Sequence, residues 1–363
     1  MNNLYEASQQ YASRPKDERF DSIEGLLANA QHNKAHSYET TYNLKDLLVV
    51  GTPEGIHIQS PKGTATPTHW SFGQLSRMLG APGAFLRDGL SPQLAADVLN
   101  YRIDQSAPGS TASLLIKKNG GDPVVRSVNS ESYGRLWEYD LISNLNETIL
   151  KRDPSWGLPP VWGGGVAGAY SGDRDSFLIV TNGGSIVNDP STGSKDGTMF
   201  RGILVRNSEV GAAAVTIDSV LFRYICGNHI IWGGVYDSRF RRRHIGSHVL
   251  RDVVRQIGTI AFQWANSSTE RDNAIIKGLI EHELAFSKEA VVDELQKMGA
   301  SKGDAILAYE TCEKNEEVSP RSYWGLAQGL TRASQEQDYQ NERYEWDKLA
   351  SQVMARGAKL VRV

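Results

Sequence analysis

Apolar and polar positions change period several times along the chain, and each change marks an element. β-like runs occur at LKDLLVV (44–50), GIHIQ (55–59), SLLIK (113–117) and PVVRSV (123–128). The last two are separated by KNGGD, whose paired glycines signal a hairpin. Residues 71–100 read as a compact helical stretch. Leu136, Tyr139, Ile142, Leu145 and Ile149 recur at helical spacing and predict a helix over 131–150. Residues 1–40 read as a mobile lead-in with one short helix at 22–30.

RDPSWGLPPVWGGGVAG (152–168) is rich in proline and glycine and marks a subdomain boundary. After it come SFLIVT (176–181), FRGILVR (200–206) and AAVTIDSVLFRYI (213–225), then helical character to about residue 265. That order is a β-β-β-α unit. Residues 269–356 read as helix, broken near Gly299–Gly303 and again around Pro320. The expected fold class is therefore α+β: antiparallel sheets, a β-β-β-α core unit and a helical C-terminal region. The expected segments are 1–40, 41–151, 152–266 and 267–363.

Composition narrows the class. With 40% apolar and 22% charged residues among 363, a packed core is feasible and a disordered chain is excluded. No window approaches 18 consecutive apolar residues, so no membrane partner is expected. The opening MNNLYEASQQYASRPKDERF lacks the basic and apolar regions of a secretory signal. Two cysteines, Cys226 and Cys312, make no disulfide framework. The expectation is a cytoplasmic protein.

Charge is distributed unevenly. Residues 201–260 hold nine arginines, no lysine and four acids, a net +5 in a chain of net −3. Four of those arginines, Arg239, Arg241, Arg242 and Arg243, fall within five positions of FRYICGNHIIWGGVYDSRFRRRHIGSH (222–248). A helix starting near residue 244 puts Ile245, Val249, Val253, Ile257, Ile260 and Trp264 on one apolar stripe. His244, His248, Arg251 and Arg255 form a neighbouring polar stripe. Trp232 and Tyr236 lie just upstream. Arginine forks bind phosphates and aromatic faces stack unpaired bases, so this pattern suits a single-stranded nucleic acid. The competing reading is a solvated or oligomer-facing helix surface.

Other motifs yield to structural readings. Cys226, His229, His244 and His248 have one thiolate where a zinc knuckle has two, and positions 226 and 229 of a strand point to opposite faces. No metal and no cofactor are expected. GGGVAG (163–168) matches a dinucleotide fingerprint in letters but neither follows a strand nor opens a helix. HWSFGQLSRMLGAPGAFLRDGL (69–90) has a helix-turn-helix outline, with Ser71 and Gln74 as a capping box. Its second helix begins with Ala81, Gly83, Ala84 and Phe85, poor base readers, so a structural helical hairpin is expected. DRD (173–175) reads as a turn. No nucleophile–base pair is evident, and an enzyme is not expected.

The chain resembles the phage/plasmid-like proteins grouped as domain of unknown function 932. RPKDERFDSIEGL (14–26) looks like that family's opening, and residues 70–100 are similar to its Q-L-x-x-x-L-G-x-P segment. VRNSEVGAAAVTIDSVLFRYICGNHIIWG (205–233) with RRHIG (242–246) resembles its N-S-E-x-G, C-x-N and R-H-x-G core. WGLAQGLTRASQEQD (324–338) resembles its closing helix, with Gln328-Gly329 in place of Asn-Ala. The resemblance implies a mobile-element origin and a bacterial host cytoplasm, and supplies no mechanism. By topology alone, the β-β-β-α unit is analogous to ring-forming single-strand annealing proteins. Two functional expectations follow. One is a homo-oligomer binding single-stranded DNA or RNA in recombination or replication. The other is a non-enzymatic oligomeric or regulatory protein whose arginine face contacts an acidic protein.

Overall fold

In the computed structural model, residues 15–118, 120–160, 166, 168–188, 198–223, 229–230, 239–335 and 340–361 are described. The smaller sheet uses β2 (Ser37–Asn43), β3 (Leu48–Thr52), β4 (Gly55–Ser60), β5 (Gly63–Pro67), β6 (Thr111–Lys117) and β7 (Val124–Asn129). Their order is β2-β6-β7-β5-β4-β3, antiparallel except for β5 beside β7. The β6–β7 pairing is the expected hairpin, while Leu44–Asp46 forms a 3₁₀ turn rather than the start of a strand.

Three helices pack on this sheet: α2 (His69–Met78), α3 (Gly83–Asp88) and α4 (Pro92–Asp104). Helices α2 and α3 are the expected hairpin, and Gly80 turns between them at φ 64°, a left-handed value glycine adopts without strain. The cap differs from the capping box expected. Thr68 accepts the Ser71 N–H at 3.1 Å, and Gln74 instead accepts the Val128 N–H at 3.0 Å. Helix α4 is pinned to β3 by paired bonds between Asn100 and Val49, both 2.8 Å.

The larger sheet comprises β1 (Arg19–Phe20), β8 (Trp156–Gly157), β9 (Ala169–Ser171), β10 (Ser176–Asn188), β11 (Thr198–Asn207), β12 (Val215–Arg223), β13 (His229–Ile230) and β14 (Arg239–Arg242). Successive side chains of its central strands alternate between two buried faces. Leu178, Val180, Ile203, Val205, Ile217 and Leu221 join the main core. Phe177, Ile179, Leu204 and Val220 form a separate cluster with Tyr170.

The main core is closed by α1 (Ile23–Ala35), α5 (Glu138–Leu145, continued by a π turn to Leu150), α6 (Val249–Ala265), α7 (Thr269–Glu281), α8 (Lys288–Lys297), α9 (Lys302–Asn315), α10 (Tyr323–Gln335) and α11 (Gln340–Ala358). The architecture is α+β. Helix α1 is longer than the 22–30 expected. Its Ile23, Leu26 and Ala30 are buried in the main core, so residues 23–35 are a core element and not a lead-in. A helix begins only at Glu138, since residues 130–137 form a docking loop. Gly329 lies where α10 crosses α9 so closely that a Cβ would meet Ala308 O at 2.3 Å.

Candidate nucleic-acid interface

Strand β14 pairs antiparallel with β12, with Ile217 opposite Phe240 and Val215 opposite Arg242. Phe240 leans on the main core, and Arg241 and Arg243 are exposed. Arg242 is half-buried and ion-paired, its Nε 3.2 Å from Asp252 Oδ2 on α6. That pair removes Arg242 from the free positive charge assigned to it by sequence.

Helix α6 starts at Val249, five residues after the predicted start. Three backbone contacts hold the preceding residues out of the helix. Gly134 N–H donates to His244 O (3.0 Å), Gly246 N–H donates to Ser132 O (3.1 Å), and Tyr133 bridges to Ile245. Gly246 has φ 77°, which interrupts a right-handed helix. His244 is consequently not part of a polar helical stripe. It is buried, stacked on Tyr133 at 5.1 Å, with Nδ1 3.1 Å from Gly134 O. Burial holds its pKa below the ordinary histidine value, so it does not supply charge to the surface. Ile245, expected inside, is 53% exposed for the same reason.

From Val249 onward the pattern is as expected except that Ile260 is half-buried and Ala261 takes the buried place beside it. Val249, Val253, Ile257, Ala261 and Trp264 are buried. Arg251 and Arg255 are exposed one turn apart. Phe262, seven residues beyond Arg255, continues that row and is 71% exposed. Phe262 is not among the residues the sequence predicts for this face, although its helical spacing from Arg251 and Arg255 is the signal that marks it. Among the described residues, Arg241, Arg243, Arg251 and Arg255 have no carboxylate partner within ion-pair distance. Arg239 belongs to β14 by backbone only; its side chain, Trp232, Tyr236 and Cys226 lie outside the described residues. Among the described residues no group of three or more His, Cys, Asp or Glu is placed to hold a metal ion.

Not all of the +5 segment is surface. Arg201 is fully buried against Asp272, and Arg206 pairs with Asp175 at 2.5 Å. Asn207, Ser208, Glu209 and Val210 are also interior, forming a joint between the two cores. Asn207 Nδ2 donates to Leu136 O (3.0 Å), and Ser208 Oγ donates to Arg174 O (2.5 Å). Glu209 accepts from Arg126 (2.8 Å) of the smaller sheet and from the Glu138 N–H (2.9 Å) of α5. Val210 O accepts from Trp70 Nε1 (3.1 Å) and Gln74 Nε2 (2.7 Å), both on α2. The register places this joint, the Gly172–Asp175 turn and Arg242 at one end of the larger sheet.

Glu138 is buried in the joint, and its Oε2 accepts from Ser171 Oγ at 2.8 Å. Burial, and then the Glu209 charge, push its pKa to about 8 from the ordinary 4.5. The folded carboxyl therefore keeps a proton that the unfolded one loses. That difference makes stability fall as pH rises from about 4.5 to about 8. Glu138→Gln is expected to remove this component. Urea midpoints at the two ends of that window check it: the variant should lose less stability than wild type over the interval, and an equal loss refutes the assignment.

Comparison with protein-family models, with curated proteins and with solved structures finds no match. Among the described residues, no helix is long and apolar enough to cross a membrane.

Proposed function

We infer that the exposed face of β14 and α6 binds single-stranded nucleic acid, and that it does so in a homo-oligomer. The observations that carry this reading are the exposed row Arg251–Arg255–Phe262 on α6 and the exposed Arg241 and Arg243 at the end of the strand that leads into it. Among the described residues these four arginines have no carboxylate partner, and Phe262 leaves an aromatic ring in solvent on the same row of α6 as Arg251 and Arg255, which suits a phosphate backbone and unpaired bases. A lone subunit of net charge −3 attracts a polyanion weakly, whereas a ring or row of subunits aligns its basic faces into a track. The resemblance to phage/plasmid-like proteins favours DNA of a mobile element, in annealing, recombination or replication.

The test is the salt dependence of binding to a labelled oligonucleotide. Each phosphate contact on a single strand contributes roughly 0.7 to the slope of log K against log salt. Replacing Arg241, Arg243, Arg251 and Arg255 together with alanine should reduce the magnitude of the slope by about 3. Arg242→Ala should change it least, because Asp252 already neutralises that side chain. Phe262→Ala should weaken binding by roughly 1–3 kcal/mol with little change of slope. Folded, oligomeric protein that binds neither DNA nor RNA strands at low salt overturns the reading, and an acidic protein partner then becomes the occupant to seek.

A further inference from the structure

A cavity of about 440 Å³ opens between the α2–α3 hairpin and the Gly172–Asp175 turn. It is separate from the β14–α6 face and stands on other residues. His69, Trp70, Arg77, Arg87 and Arg174 line it, and the rest of its wall is chiefly glycine and alanine. Among the described residues, no acidic side chain lines it.

The small residues make the room. At Gly73 a Cβ would meet nothing within 4 Å, so this wall is open space and not packed core. At Gly83 a Cβ would lie 3.1 Å from Ser76 Cβ, which shows how closely α3 approaches α2 beside the cavity. Helical hairpins normally fill this angle with side chains; here Gly73, Gly80, Ala81, Gly83 and Ala84 leave it to solvent.

The charges are unbalanced. Arg87 is bound by both oxygens of its neighbour Asp88 at 2.8 Å, and so carries little net charge. Among the described residues, Arg77 and Arg174 have no carboxylate partner. Arg174 is flanked in sequence by two aspartates, yet Asp175 is committed to Arg206. The Arg174 guanidinium instead lies over the Trp70 ring, 5.6 Å from its centre, with Nη2 3.3 Å from His69 Nδ1. A neutral imidazole nitrogen accepts that bond without cancelling the charge. The Trp70 ring is fixed from its other end by the bond from Nε1 to Val210 O. Among the described residues, two guanidiniums without a carboxylate partner and a held indole thus face a cavity with no acid in its wall.

We propose that this cavity binds a nucleoside phosphate, with Arg77 and Arg174 on the phosphate and Trp70 oriented beside the base. Guanidinium forks pair bidentately with phosphate oxygens. An indole face or edge receives a planar base. The volume lies within the range of small-ligand sites and exceeds the need of a bare phosphate. The ligand is either a free nucleotide or the phosphorylated terminal nucleotide of a strand.

Equilibrium binding to the full chain decides this, using mononucleotide 5′-monophosphates, inorganic phosphate, and oligonucleotides of one length with and without a 5′ phosphate. A mononucleotide is expected to bind saturably, one per chain, and more tightly than inorganic phosphate. Arg77→Gln and Arg174→Gln should each weaken it about tenfold or more. Arg174→Lys, which keeps the charge and loses the fork, should also weaken it. Mononucleotide binding is read separately from the oligonucleotide salt slope, so failure of the β14–α6 reading does not decide this one. A preference for the 5′-phosphorylated strand assigns the pocket to strand ends, and equal affinity for both strands assigns it to free nucleotides. Absence of saturable mononucleotide binding overturns the proposal. So does binding that both glutamine variants retain in full while their melting curves match wild type.

Discussion

Asp272→Ala is expected to destabilise the protein by about 3–5 kcal/mol, because it leaves the Arg201 guanidinium buried without its counter-charge. Arg201 Nε donates to Asp272 Oδ2 at 3.0 Å, and Nη2 donates to the same oxygen. Nη1 reaches Ser267 O at 2.6 Å and Nη2 reaches Ser268 O at 3.0 Å, so the side chain of β11 ties the α6–α7 junction to the sheet. The guanidinium also lies 5.0 Å from the centre of the buried Trp264 ring. Removing only the carboxylate keeps the desolvation cost of the cation and deletes the charge that offsets it. Replacing both partners, Arg201→Met with Asp272→Leu, should cost less than Asp272→Ala alone. Urea denaturation of the two variants measures the order. A double variant less stable than the single one would show that Arg201 acts through its carbonyl contacts and not through the ion pair.

Glu209→Ala is expected to have a comparable effect at the joint. It strands Arg126, whose side chain is 12% exposed, and removes the acceptor of the Glu138 N–H. A loss of about 3–5 kcal/mol follows from breaking a pair with both members largely withdrawn from water. A second readout identifies the cause. Without the Glu209 charge, and with Arg126 left nearby, the Glu138 carboxyl ionises at lower pH than about 8. The fall in stability toward alkaline pH should become shallower. Glu209→Gln should recover part of the stability, since its amide oxygen can still accept from the backbone, but should keep the shallow profile. A Gln variant with the wild-type pH profile would refute the coupling between the two carboxylates.

Wherever the hydrophobic period was long, the chain could be read directly. Val249, Val253, Ile257 and Trp264 repeat at helical spacing and are buried; the alternation of Leu178 and Val180 against Phe177 and Ile179 belongs to a strand covered on both sides. The breaks near Gly299 and Pro320 are also where helices end. The errors fall where distant backbone intervenes. His244 and Ile245 continue a helical pattern in sequence, yet the loop at Ser132–Gly134 captures their backbone and Gly246 stops the helix. Leu136 fits the helical spacing of 131–150, but lies in the docking loop ahead of α5.

The candidate site divides along the same line. The sequence by itself determined the α+β class, the helical hairpin, the basic content of residues 201–260 and the amphipathic α6, because each depends on composition or on spacing within one element. Tertiary structure alone decided which arginines are free. Arg201, Arg206 and Arg242 find Asp272, Asp175 and Asp252, leaving Arg241, Arg243, Arg251 and Arg255 without such partners among the described residues. It also brought Arg77 to the same cavity as Arg174, nearly a hundred residues away in the chain. Charge counts along a sequence are additive, but the field a ligand meets depends on distances between side chains from different elements, and only packing sets those distances.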